Sequence, residues 1–299
     1  MSNNNVYMSD TPISAIPGVE SFVVAPDGLG ASLRISIARP STHAMGATVG
    51  AASVIYVTDA DYSFGTVVEA ARMGCYAGEL GPAVVVGIGY AEERGDYAFV
   101  GRRRGLDFYR GPRRSLDIPG FGALELGGAD TFLTALLDVV VPEVNRRLPE
   151  TAGARRILFG MSAGGHFAAH VLTQRPDAFQ GYAMLSPALV DFPPAPGDEH
   201  MVDVVRALPA GAIPTGTAVF LSAGAREEEP GEALAAASII SNAYRMRAAL
   251  AAHGVSTELA LFDDETHTSV LGVAVTRALR FLVPSQGAPA SQVAGAPRD

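Results

Sequence analysis

Ser162 stands in the run Gly160-Met161-Ser162-Ala163-Gly164, and a serine flanked by glycines at these spacings can act as a nucleophile. An apolar run, residues 157–159, precedes it, and a small-residue run of helical character, residues 163–173, follows. A G-x-S-x-G sequence between a strand and a helix makes a turn too tight for neighbouring side chains and lifts the hydroxyl above the sheet. The amide of Ala163 then lies at the positive end of the helix, where it can donate to a developing oxyanion.

A serine hydroxyl needs a base to react at neutral pH. Of six histidines, His267 lies late in the chain, in Asp263-Asp264-Glu265-Thr266-His267-Thr268-Ser269, between an apolar run at 258–262 and a final helical pattern. That position suits the order nucleophile, acid, histidine. His253 precedes Gly254 and is expected to be a solvated helix-terminal residue. His166 and His170 are expected to pack within the helix after Ser162, and His43 and His200 fall in loops. The acid that fixes the tautomer of His267 is expected after the apolar run 218–221, where Glu227, Glu228 and Glu229 are adjacent; Asp263 and Asp264 are rivals by proximity. A second oxyanion donor is expected from the loop after residues 54–57, at the amide of Ala60 or Asp61, with Asp59 bracing that loop. Paired ligand spacing such as H-E-x-x-H does not occur, so neither a metal nor another cofactor is expected.

These groups need a scaffold. Residues 21–24 and 32–38 alternate in the manner of antiparallel strands joined across Pro26-Asp27-Gly28. Later apolar runs, at 54–57, 83–88, 157–159, 182–185, 218–221 and 258–262, are short and continuous, as strands buried on both faces require. Helical patterns fall between them. One carries Phe132, Leu136, Val140 and Val144 on a single face and is expected to kink or break at Pro142; others span 233–252 and 270–282. Alternating strands and helices predict an α/β fold with a mostly parallel central sheet, an antiparallel N-terminal edge and helices on both faces. Catalytic groups in such sheets gather at the carboxyl ends of strands.

The chain has 299 residues, 48% hydrophobic and 18% charged, with a net charge of -9. Such a composition builds a substantial core and argues against nucleic-acid binding. Neither a signal peptide nor an apolar run long enough for a bilayer is evident, so no membrane partner and a cytoplasmic location are expected. Cys75, the single cysteine, is expected in the core. One domain is expected over 17–284, with tails at 1–16 and 285–299 and a Pro-rich cap insertion near 187–215. Oligomeric state is not legible.

With these motifs in place, the chain resembles an esterase family of α/β-hydrolases that includes enterochelin and bacillibactin (siderophore) esterases, feruloyl esterases and S-formylglutathione hydrolases. Tyr56-Val57-Thr58-Asp59-Ala60-Asp61 resembles the family's Y-x-x-D-G-D loop, with Ala60 in place of the glycine. The segment 84–90 resembles its next strand, and Arg103-Arg104-Gly105-Leu106-Asp107 its R-R-x-x-D segment. Gly127-Gly128-Ala129-Asp130-Thr131-Phe132 is similar to its G-G-A-x-x-F helix start, Ser186-Pro187 to its S-P pair, and Gly224-Ala225-Arg226-Glu227 to its G-x-x-E acid loop. The resemblance implies the α/β-hydrolase fold and a small-molecule ester, thioester or acyl-transfer substrate. It favours Glu227 as the acid and the siderophore-esterase branch. Six arginines between residues 102 and 114, with Arg103 and Arg104 foremost, are expected to form either a solvated loop or a basic wall for an anionic substrate. Three readings stay open: a serine hydrolase of a carboxylic ester or lactone, an acyltransferase on the same machinery, and a non-catalytic binding protein on this fold.

Overall fold

The computed structural model describes residues 16–39, 53–92, 96–118, 122–190, 200–230 and 235–285. The expected tails and His43 lie outside them, except Ile16 and Ser285. In chain order the elements are β1 (Val19–Val24), β2 (Leu33–Ala38), β3 (Ser53–Thr58), α1 (Ala60–Tyr76), β4 (Ala83–Tyr90), α2 (Tyr97–Phe108), β5 (Arg114–Ile118), β6 (Gly122–Leu126), α3 (Ala129–Ala135), α4 (Val141–Arg147), β7 (Arg155–Met161), α5 (Ala163–Gln174), β8 (Gly181–Leu185), α6 (Met201–Arg206), β9 (Ala218–Gly224), α7 (Ile239–Ala252), β10 (Ser256–Phe262) and α8 (Val270–Leu282).

Eight strands form one sheet in the order β1-β2-β4-β3-β7-β8-β9-β10. The hairpin β1–β2 is antiparallel, β2 joins β4 antiparallel, and every later pairing is parallel. This is the expected α/β-hydrolase architecture, and each expected strand is present. A residue's neighbours in a strand face opposite sides, and β3 shows the consequence. Val54 and Tyr56 enter the core under α2–α7, whereas Ile55 and Val57 enter the core under α1 and α8. Both faces are covered, so β3 and β4 are buried at every position. Each large apolar side chain buried this way contributes about 1.5–3 kcal/mol, against about 0–1 kcal/mol for an exposed ion pair, so two-sided burial carries the fold.

Several local outcomes refine or depart from the sequence pattern. At Pro142 the expected interruption takes this form: α3 ends at Ala135, a π-helical segment, Leu136–Val140, follows, and α4 starts anew with the proline in its first turn. The alanine-rich stretch expected to be helical over 233–252 becomes α7 only from Ile239, because Ser238 sits in the left-handed region at φ 49 and interrupts it; residues 233 and 234 lie outside the described chain. Arg102, Arg103 and Arg104 lie on α2 and not in a loop, and β5 and β6 form a hairpin beyond it. Within the expected cap, Leu189 is buried, as are Met201, Val202 and Val205 of α6, which joins the main core; residues 191–199 lie outside the described chain.

At the carboxyl ends of three neighbouring strands, β3, β7 and β8, the next residue is a non-glycine in the positive-φ region: Asp59 at 58, Ser162 at 57 and Ser186 at 42.

Candidate active site

Gly160, Gly164 and Gly165 explain why the turn after β7 can be so sharp. A Cβ on Gly160 would overlap the Gly164 carbonyl. One on Gly164 would stand 2.8 Å from both Asp59 Oδ2 and Thr58 Oγ1, and one on Gly165 2.8 Å from Pro187 Cβ. The elbow is therefore pressed against the ends of two neighbouring strands. Ser162 takes φ 57, ψ -117 at the N-terminus of α5, and its side chain makes no capping bond to that helix. Its carbonyl accepts from the amides of His166 and Ala188, both at 3.0 Å, and its amide donates to Leu185 at 2.9 Å. The backbone is pinned on three sides, and Ser162 lines a pocket together with Tyr109, Leu124, Ala188, Val190, Ala237 and Ile239. None of those side chains is charged, so an apolar part of a ligand fits beside the serine.

The structure pairs His267 with Glu227 and separates that carboxylate from its neighbours. His267 Nδ1 lies 2.8 Å from Glu227 Oε2. Glu227 is only 1% exposed, and its other oxygen accepts from Ser186 Oγ and from the Gly224 amide, both at 2.6 Å. A buried carboxylate is tolerable when its lone pairs are satisfied in this way. Gly224 is needed there, since a Cβ would overlap the Glu265 carbonyl. Glu228 instead binds the amide and hydroxyl of Ser241, and Glu229 pairs with Arg226. Asp263 and Asp264 are exposed in the turn after β10. The His267 side chain is 18% exposed. Ser186 contributes as well, which its S-P motif alone does not reveal: in the folded chain its hydroxyl, buried at 0% exposure, supports Glu227.

Ala60 and Asp61 open α1 immediately after β3. The first amides of a helix have no partner within it, and here they follow Asp59, whose carbonyl accepts from the amides of Tyr62 and Ser63. The Asp61 carboxylate faces away from any such role: it is ion-paired to Arg34 and accepts from the Tyr90 amide at 3.3 Å.

Arg103 and Arg104 are not a basic wall with free guanidinium groups, and the physical reason is their internal pairing. Arg103 makes a bidentate pair with Asp107, at 2.8 to 3.1 Å, and also reaches the Leu29 carbonyl. Burial pushes the Asp107 carboxyl up to about 6 against the pull of Arg103. Arg104 Nε donates to Asp59 Oδ1 at 2.7 Å. Burial likewise raises the pKa of Asp59, with Arg104 opposing it.

The other described histidines have structural partners. His166 Nδ1 lies 2.9 Å from the Ala188 carbonyl and the ring packs on Tyr109 with centroids 4.6 Å apart. Burial pushes its pKa down to about 3, so it is neutral. His170 Nε2 meets Asp130 at 2.9 Å, and burial lowers its pKa too. His200 caps α6 by accepting from the Val202 amide. His253 is not solvated as expected but is half-buried, with Nε2 2.8 Å from the Val205 carbonyl. Among the described residues no group of three or more histidine, cysteine, aspartate or glutamate side chains could hold a metal ion, and no helix is long and apolar enough to cross a membrane. Cys75 is buried.

Comparison with known proteins extends this geometry. A family model described as "Putative esterase" matches residues 27–270. The ferri-bacillibactin esterase BesA of Bacillus subtilis is 32% identical over 281 residues, covering 91% of this chain and 92% of that one. A siderophore triacetylfusarinine C esterase of Aspergillus fumigatus is 35% identical over 141 residues, 47% of this chain and 45% of that one. Among solved structures, the siderophore hydrolase EstA from Aspergillus nidulans superposes with a TM-score of 0.70 at 25% identity, covering 92% of this chain and 97% of that one. A match across most of the domain, together with a relative of nearly equal length, makes this chain a member of the esterase family of α/β-hydrolases, the carboxylic-ester hydrolases.

Proposed function

We propose that the protein is a serine esterase that cleaves a siderophore or similar natural-product ester through an acyl-enzyme on Ser162. The observation that carries this reading is the pairing of buried Glu227 with His267 at the same edge of the sheet as the serine elbow. With Nδ1–H donated to Glu227, the ring presents Nε2 as its basic nitrogen. That nitrogen takes the proton of Ser162 as Oγ attacks the ester carbonyl, and returns it to the departing alcohol. Water then repeats the sequence to release the acid. The tetrahedral oxyanion is stabilised by the Ala163 amide and by an amide of Ala60 or Asp61. The chemistry needs no metal or other cofactor. The names of the relatives at 30% identity and above support a siderophore-type ester.

Ser162→Ala tests this. The expected loss in kcat is on the order of 10⁴ or more, because nucleophile and base act as a unit, with the far-UV spectrum unchanged. Mass spectrometry should find one phosphonyl group on Ser162 after treatment with a serine-directed phosphonate. A variant with near-wild-type turnover, or a wild-type protein inert to the phosphonate, would overturn the reading.

A further inference from the structure

Arg104 reaches the two segments that supply the nucleophile and the second oxyanion donor under the proposed mechanism. Its Nε donates to Asp59 Oδ1 at 2.7 Å, and a terminal nitrogen donates to the Met161 carbonyl at 3.4 Å. Met161 immediately precedes the nucleophile, and Asp59 immediately precedes α1. We propose that Arg104 is a positioning residue: one planar cation fixes the distance between the oxyanion loop and the serine elbow. The proposal rests on the serine-esterase reading above.

Independent features of the same junction agree. Thr58 Oγ1 donates to the Phe159 carbonyl at 3.0 Å, a second tie between the end of β3 and the strand leading to Ser162. Asp59 is left-handed, 4% exposed, and held so close to Gly164 that a methyl group has no room. Its Oδ1 takes the arginine while its Oδ2 is buried with no hydrogen-bond partner among the described residues, so Arg104 is the charge that keeps this carboxylate in place. The guanidinium also lies over the Tyr62 ring, 5.3 Å from its centroid, in the first turn of α1. A fork of fixed geometry can hold three such partners at once, whereas an ammonium is a point charge on a flexible stem.

The arrangement assigns Arg104 an effect on the chemical step and not on substrate charge. A displaced reacting group of about 1 Å costs on the order of 10²-fold in rate. Arg104→Lys and Arg104→Met should therefore lower kcat on a small neutral ester, p-nitrophenyl acetate, by on the order of 10–10²-fold, with KM within about threefold. Phosphonylation of Ser162 should slow in parallel. Asp59→Asn, which keeps an oxygen for Nε, should be milder than Asp59→Ala. If Arg104→Met does not fold, Arg104→Ala assayed with and without millimolar guanidinium serves instead, and added guanidinium should restore part of kcat. A raised KM with unchanged kcat, confined to an anionic ester, would overturn the proposal in favour of a substrate-binding arginine. So would full activity in Arg104→Lys and Arg104→Met alike. Failure of the serine-esterase reading is separate: it shows as a wild-type Ser162 that is never phosphonylated.

Discussion

Ser186 holds Glu227 from behind: its hydroxyl donates to Oε1 at 2.6 Å while Oε2 faces His267 at 2.8 Å. Ser186 takes a positive φ of 42 and is wholly buried, so the backbone is bent to deliver that hydroxyl. Removing it leaves a buried carboxylate oxygen with one donor fewer. Ser186→Ala should lower kcat/KM roughly tenfold and Glu227→Gln by on the order of 10²–10⁴, because under the proposed mechanism that carboxylate fixes the tautomer and orientation of His267. Glu228→Gln and Glu229→Gln should stay within about twofold, since their partners are Ser241 and Arg226. Steady-state assays of the four variants decide it; equal small effects would mean that the serine and histidine work without an acid.

Gly164→Ala places a methyl group 2.8 Å from Asp59 Oδ2 and Thr58 Oγ1. Overpacking of this kind costs about 1–3 kcal/mol, and here it pushes on the loop that supplies an oxyanion donor under the proposed mechanism. Denaturant unfolding should show that loss, and kcat should fall by more than KM rises. Gly160→Ala, which overlaps backbone and not side chains, should be the more destabilising of the two.

The neutral, buried His166 makes stability depend on pH. Its folded pKa, about 3, lies below the ordinary 6.5, so the unfolded chain binds a proton that the native state refuses between those values. The contribution is complete above about pH 6.5 and is lost as pH falls, by at most about 1.4 kcal/mol per unit. His166→Asn keeps an amide donor for the Ala188 carbonyl and removes the titration. Urea midpoints across the acid range should therefore fall less steeply for the variant than for the wild type. Reading the difference between the two proteins matters, because Asp59 and Asp107, with raised pKa values, act in the opposite direction.

The strands and the elbow were legible because their signals are local. Continuous apolar runs mark strands covered on both faces, as β3, β4 and β9 are, although β10 at the sheet edge is only half-buried, and glycines at two-residue spacing around Ser162 describe one turn. What stayed hidden depends on distant partners. The buried face of α2 is built from Val100, Gly105, Asp107 and Phe108, a mixture with no apolar rhythm, so its arginines looked like a charged loop. Their destinations, Asp59 and Asp107, become visible only when the chain is folded. Three consecutive glutamates are equivalent in composition, and only the turn at Gly224 turns Glu227 inward. Alanine content likewise extended α7 too far, because propensity does not register a single left-handed serine.

The three positive-φ residues that follow β3, β7 and β8 carry a thermodynamic consequence. Each such conformation in a non-glycine residue costs about 1–3 kcal/mol, so the rim of the sheet opposes folding where the rest of the sheet promotes it. Under the proposed mechanism, thermal tolerance and turnover are thereby set against each other at Asp59, Ser162 and Ser186. Glycine at position 59 or 186 would relax the backbone and remove the side chain that aligns the machinery. Heat resistance in this protein is better sought far from that rim, in the helices on either face of the sheet.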